Sequence, residues 1–328
     1  MARTAPNLAK TAILAVAISF FLFGAMTLPE PAATSDRSSS RSPPADCVGA
    51  RHAAGGPDGM GGCWPGPSNT GIPAGHALTA YTGPCKIALD NTVLDGKLVT
   101  CQLNIQASNI TIRNSKVIGG IWLDGDLPGS SSWSVTIEDT EVDGGPNDLP
   151  SIGNANVNVI RANIYGGHNG VQCDETSVFC TVRDSWIHDQ YQPPDRDSHL
   201  GGFLSNGGQN IVLRHNFIVC DAPVNKLGGG CTGNINLIPN FKAIDGAVIE
   251  HNLLGANLDS SYCTYGGEKS TSETPHSFNI IYKDNIFQRG RNRRCAAYGP
   301  VTGFNWAGSG NAWINNRWDD GAIVPGIN

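Results

Sequence analysis

Internal repetition constrains this chain more than any other feature. The segments ITIRNSKV from Ile110, VTIEDTEV from Val135, VNVIRANI from Val157, CTVRDSWI from Cys180, IVLRHNFI from Ile211, AVIEHNLL from Ala247, IIYKDNIF from Ile280 and NAWINNRW from Asn311 superpose. Their starts advance by 25, 22, 23, 31, 36, 33 and 31 residues. A period in this range marks a stacked architecture, because each repeat can bury its apolar face only against its neighbours.

Three columns carry the pattern. The third position holds Ile112, Ile137, Val159, Val182, Leu213, Ile249, Tyr282 and Trp313, and the eighth holds Val117, Val142, Ile164, Ile187, Ile218, Leu254, Phe287 and Trp318. All can fill a core. The sixth is small or polar: Ser115, Thr140, Ala162, Ser185, Asn216, Asn252, Asn285 and Asn316. Asparagine there is expected to bend the backbone into a left-handed conformation and to bond its copy in the next coil, an asparagine ladder. A second strand recurs between the segments, in GIWLDG from Gly120, NGVQCD from Asn169, GGFLSNGG from Gly201, GNINLIPN from Gly233, SYCTYGG from Ser261 and GPVTGFNW from Gly299. Equivalent strands then run in the same direction and form parallel sheets. The expectation is an all-β, single-stranded right-handed parallel β-helix of about eight coils. A leucine-rich horseshoe lacks its leucine-dense consensus here.

These columns resemble the right-handed β-helix proteins of the pectate lyase and polygalacturonase superfamily over roughly residues 80–320. The strings CTYGG, CDAPVN and GGGCTG are also similar to a group of secreted actinobacterial β-helix proteins of undefined activity. The resemblance implies action on a polysaccharide and allows a calcium ion as cofactor. It does not supply the catalytic residues. The polygalacturonase motifs are absent in order, with Gly167-His168-Asn169 only approaching Gly-His-Gly, and no arginine base with an acidic calcium cluster is identifiable. No metal ligand set is assigned.

The rest of the chain points to export. Arg3 and Lys10 precede an uncharged run from Thr11 to Leu28, which reads as a secretory signal peptide over 1–28 or, if uncleaved, a signal anchor. Residues 29–46 turn to Pro, Ala, Ser and Arg and read as a disordered linker, leaving 47–328 for the β-helix domain. The chain has 10 cysteines, an even number in an exported protein, so disulfides are expected rather than a metal site. Neighbour pairing joins Cys47 to Cys63, Cys85 to Cys101, Cys173 to Cys180, Cys220 to Cys231 and Cys263 to Cys295. With 41 glycines, 20 prolines and only 15% charged residues, short strands and turns are favoured over amphipathic helices. A net charge of -6 argues against nucleic acid as a partner. A monomer acting on a polysaccharide or oligosaccharide is expected.

On such a scaffold function comes from outward side chains and from the loops of long coils. The coils starting at Cys180, Ile211 and Ala247 are the long ones, placing a groove beside them. The first of their loops gathers His188, Asp189, Tyr191, Asp195, Arg196, Asp197 and His199. Asp195 and Asp197 could form a hydrolase carboxylate pair. Tyr191, Arg196, His199 or Lys226 could instead take the proton α to a uronate carboxyl, as a lyase does, and His168 stands at a neighbouring height. Gln172, Asp174, Asn206, Asn234, Asn236, Tyr262 and Thr264 are expected to form the substrate-binding wall. Asp184, His215 and His251 fall in the bend and read as turn residues. Lyase, hydrolase and binding without turnover all stay open.

Overall fold

A computed structural model describes residues 47–269 and 276–327; the signal and linker segments expected over 1–46 lie outside them. The described strands build three wholly parallel sheets of 10, 9 and 9 strands. Sheet I runs from Thr79–Ala80 to Arg317–Trp318, sheet II from Lys86–Ile87 to Gly299–Thr302, and sheet III from Val93–Asp95 to Ala312–Ile314. Each turn of chain visits III, I and II in order and then returns to III one level on. The protein is a parallel β-helix.

Each repeated segment is one strand of sheet III, a bend, and one strand of sheet I. The third column stacks in register through Ile112, Ile137, Val159, Val182, Leu213, Ile249, Tyr282 and Trp313. Its members from Ile112 to Tyr282 are fully buried, as is the eighth column from Val117 to Phe287. Every coil therefore hides apolar surface on both walls of the same bend, which drives stacking at roughly 25 cal/mol per Å² buried. The expectation of about eight coils falls short. Thr92–Val99 is a further copy, with Leu94 opposite Ile112 and Val99 opposite Val117, and Thr79–Ala80 adds another level to sheet I. Lys97 in the sixth position of that copy disguised it.

The left-handed bend sits one position earlier than expected, in the fifth column. Asn114, Asp139, Arg161, Asp184, His215, His251, Asp284 and Asn315 all have φ between 48 and 54°. Only short polar or locally bonded side chains tolerate that region readily. Arg161 is held there by ion pairs with Glu138 and Asp139, and His215 by Asp184 (Nδ1 to Oδ1, 2.7 Å). The sixth column is fully buried from Ser115 to Asn316 and supplies hydrogen bonds between coils. Asn216 Nδ2 donates to Asn252 Oδ1 (3.0 Å), Asn252 Nδ2 to Asn285 Oδ1 (3.0 Å) and Asn285 Nδ2 to Asn316 Oδ1 (2.8 Å).

All five neighbour disulfides are formed, and none of the ten cysteines is free. Such a set belongs to an oxidising compartment. Ahead of the first strand, residues 47–71 form a pad on the outside of the stack, closed by Cys47–Cys63. Its Trp64 is buried with Phe217, Val219 and Leu253 and stacks on His215 at 5.4 Å. His215 Nε2 also reaches Asp58 (3.2 Å). Among the described residues no helix is long and apolar enough to cross a membrane.

Candidate functional site

The outer face of sheet II over the long coils carries the most developed surface. Its strands Asn169–Gln172, His199–Ser205, Gly230–Leu237, Tyr262–Gly266 and Gly299–Thr302 lie in register. One row, Val171, Phe203, Ile235, Thr264 and Val301, points into the core and is fully buried. The next, Gln172, Leu204, Asn236, Tyr265 and Thr302, points outward. Thr264 was expected on the outer wall and belongs to the inner row, where its hydroxyl lies 2.9 Å from the Tyr282 hydroxyl. That partner makes a buried threonine tolerable. Asn234 is likewise buried and structural: its Oδ1 accepts from Cys220 N (2.8 Å) and its Nδ2 donates to Gly255 O (2.7 Å).

Over the outer row opens a cleft of about 400 Å³ lined by His199, Leu204, Asn206, Asn236, Asn240 and Tyr265, with Thr232, Ile238 and Ser261. Disulfides brace the strands that carry it. Cys173 follows Gln172, Cys231 lies in Gly230–Leu237, and Cys263 in Tyr262–Gly266. A site held on bridged strands keeps its geometry better than one on a free loop.

A chain of hydrogen bonds crosses this face. Asn169 Nδ2 donates to Gln172 Oε1 (3.0 Å), Gln172 Nε2 to Asp174 Oδ2 (2.8 Å), and Asn206 Nδ2 to Asp174 Oδ1 (3.0 Å). It continues from Asn240 Nδ2 to Asn206 Oδ1 (2.7 Å) and from Lys269 Nζ to Asn240 Oδ1 (2.8 Å). Both oxygens of the buried Asp174 are thus taken by amide donors. Three buried polar atoms on this face have no partner among the described residues: Asn169 Oδ1, Asn236 Oδ1 and the hydroxyl of Thr232, which lines the cleft. Tyr262 packs edge-on against Tyr265 at 5.6 Å and lies 5.7 Å from the exposed Tyr298, forming an aromatic rim. Burial pushes the Tyr265 phenol above its ordinary value, with Tyr262 adding to the shift. It therefore stays protonated at neutral pH.

The acidic and basic loop is partly tied down and partly free. Arg196 forms an ion pair with Asp148, and its carbonyl accepts from Asn225 Nδ2 (2.6 Å). Its Nε also lies 3.5 Å from Asp195. Asp197 and Lys226 are exposed and Tyr191 half-buried. None of the three side chains forms a hydrogen bond or ion pair among the described residues. His188 is engaged by Asp189 (2.7 Å) and Asn163 (2.8 Å) and stacks on Trp186 at 3.5 Å. Burial holds the His168 imidazole below its ordinary value, against the pull of Asp148 and with the help of His199 and Arg196. Its Nδ1 lies 3.3 Å from Asn169 Nδ2.

The structure therefore brings His199, Asn206 and Asn236 to one cleft, links Gln172 and Asp174 to it through hydrogen bonds, and sets Tyr262 at its rim. No hydrogen bond joins the carboxylates of Asp195 or Asp197 to His168, Lys226 or Tyr262. Sequence reasoning missed Leu204, Ile238, Asn240 and Tyr265. Leu204 and Tyr265 were legible in principle, since they occupy the outward position beside Phe203 and Thr264. Among the described residues no three His, Cys, Asp or Glu side chains gather as metal ligands, so no step is derived through calcium. No protein-family model, no curated protein and no solved structure matches this chain.

Proposed function

We propose that this is a secreted, carbohydrate-active protein that seats a polysaccharide across the outer face of sheet II and cleaves it by elimination rather than hydrolysis. The observation that carries this reading is the lining of the cleft: a free histidine, a protonated phenol and several amides, with no carboxylate pair. Glycosidases need two carboxyl groups about 5–10 Å apart. Here the adjacent Asp174 has both oxygens occupied. In the elimination, His199 takes the proton α to a uronate carboxyl. The electron pair forms the ring double bond, the bond to the leaving glycosidic oxygen breaks, and Tyr265 donates the proton that this oxygen acquires. Asn240 and Lys269 supply donors near the uronate carboxylate. The superfamily resemblance supports the same substrate class.

Incubation of the secreted protein with a panel of uronate-containing polysaccharides tests this. Ultraviolet absorbance from unsaturated ends is expected without excess reducing sugar, and its loss in His199→Ala. Reducing ends without absorbance would replace elimination with hydrolysis. The closed hydrogen-bond chain from Asn169 to Lys269 favours a second reading, binding without turnover, since so many polar groups are already committed. Saturable glycan binding with neither product signal would establish that one.

A further inference from the structure

Resting on the glycan reading of this cleft, we propose that it recognises an N-acetylated sugar, with the acetamido N–H donated to Asn236 and the methyl group packed against Leu204 and Ile238. Asn236 is 2% exposed, and its Oδ1 has no hydrogen-bond partner. An unpaired buried acceptor is costly, and a donor from a ligand in the cleft would satisfy it. The amide is seated deliberately. A Cβ at Gly201 on the neighbouring strand would stand 2.5 Å from Asn236 Nδ2, and one at Gly233, earlier in Asn236's own strand, would stand 2.6 Å from Oδ1, so glycine occupies both positions against which the amide lies.

An acceptor requires a donor from the ligand, which excludes a carboxylate oxygen at this point. A hydroxyl would satisfy Asn236 but leave the apolar side of the cleft, Leu204, Ile238 and the Tyr265 ring, facing sugar oxygens. The acetamido group offers an N–H and a methyl side by side, matching a polar acceptor beside an apolar wall. A polymer combining uronate with N-acetylhexosamine fits this subsite and the proposed elimination together.

The test compares chitohexaose with cellohexaose, which share a backbone and differ in the group at C2, and adds hexagalacturonate as an N-acetyl-free acidic oligomer. By calorimetric titration of the intact secreted protein, chitohexaose is expected to bind at least tenfold more tightly than cellohexaose. Asn236→Ala is expected to erase that difference. Ile238→Trp, which fills the methyl site from the cleft surface, gives an independent arm should the first variant misfold. Equal affinity for chitohexaose and cellohexaose, or binding of hexagalacturonate alone, overturns the N-acetyl assignment while glycan recognition stands. Failure of all three to bind overturns both.

Discussion

Asn252 sits in the middle of the buried asparagine row, and its replacement by alanine offers a direct measure of what holds neighbouring coils at the bend. Its side chain accepts from Asn216 N and Nδ2, both at 3.0 Å, and donates to Leu213 O at 2.8 Å and Asn285 Oδ1 at 3.0 Å. Removing it leaves the Asn216 N–H, in a residue with no solvent exposure, without an acceptor. An orphaned buried donor costs about 1–3 kcal/mol, and each of the other bonds contributes about 1 kcal/mol net. The sum is about 4–6 kcal/mol, enough to lower the thermal midpoint by on the order of 10 °C in a domain this size. The assay is thermal unfolding by circular dichroism with disulfides intact. Asn104→Ala serves as the control: it lies in sheet II at a half-buried position and is expected to change stability by less than about 0.5 kcal/mol. If Asn252→Ala melts with the control, the row is a spectator of coil stacking and the reasoning fails.

Three further outcomes are expected. Because burial holds His168 below the ordinary 6.5, the folded protein binds fewer protons than the unfolded chain just under that pH, and stability falls as pH is lowered through this window. His168→Gln should therefore lose less of its thermal midpoint between pH 7.5 and 5.5 than the wild type; an equal or larger loss would refute the assignment. Replacing both cysteines of the Cys263–Cys295 bridge, which spans 32 residues, should destabilise more than opening Cys173–Cys180, which spans 7. Loop-closure entropy puts the difference at about 1.3 kcal/mol, and the reverse order in chemical denaturation would count against it. Trp64→Ala removes a fully buried indole from beneath the pad and should cost about 3–5 kcal/mol. Limited proteolysis should then cut first within residues 47–71, and cleavage starting elsewhere would show that Trp64 is not what anchors the pad.

The parts of the molecule legible in the sequence are those that every coil must repeat. Ile112 and its stacked copies recur because each coil faces the same core, and cysteines close to one another in the chain pair with one another, two of the bridges, Cys173–Cys180 and Cys263–Cys295, lying within that core. The bend was misplaced by one residue because Asn216, Asn252, Asn285 and Asn316 carry the conspicuous side chains. The left-handed backbone belongs to their predecessors, whose residue types vary from Asp to His to Arg. The outer row is harder still: Gln172, Leu204, Asn236, Tyr265 and Thr302 share a position and no chemistry, so stacking leaves no pattern to find. Thr264 shows the limit of hydropathy, since a polar residue went inside once the Tyr282 hydroxyl met it.

The pad has a consequence for how the chain comes together. A stack of coils is a row of neighbours, able to fray from either end at little cost to the middle. Here Gly71 N donates to Arg161 O (2.8 Å), Asp58 meets His215 across 157 residues, and His52 O accepts from Gln288 Nε2 across 236 (2.6 Å). The earliest described residues thus act as a buckle that can be fastened only after nearly all the coils have been laid down. Until the segment near Gln288 is in place, a chain growing or emerging from its amino end is an open ribbon; afterwards, loosening one coil pulls on several others.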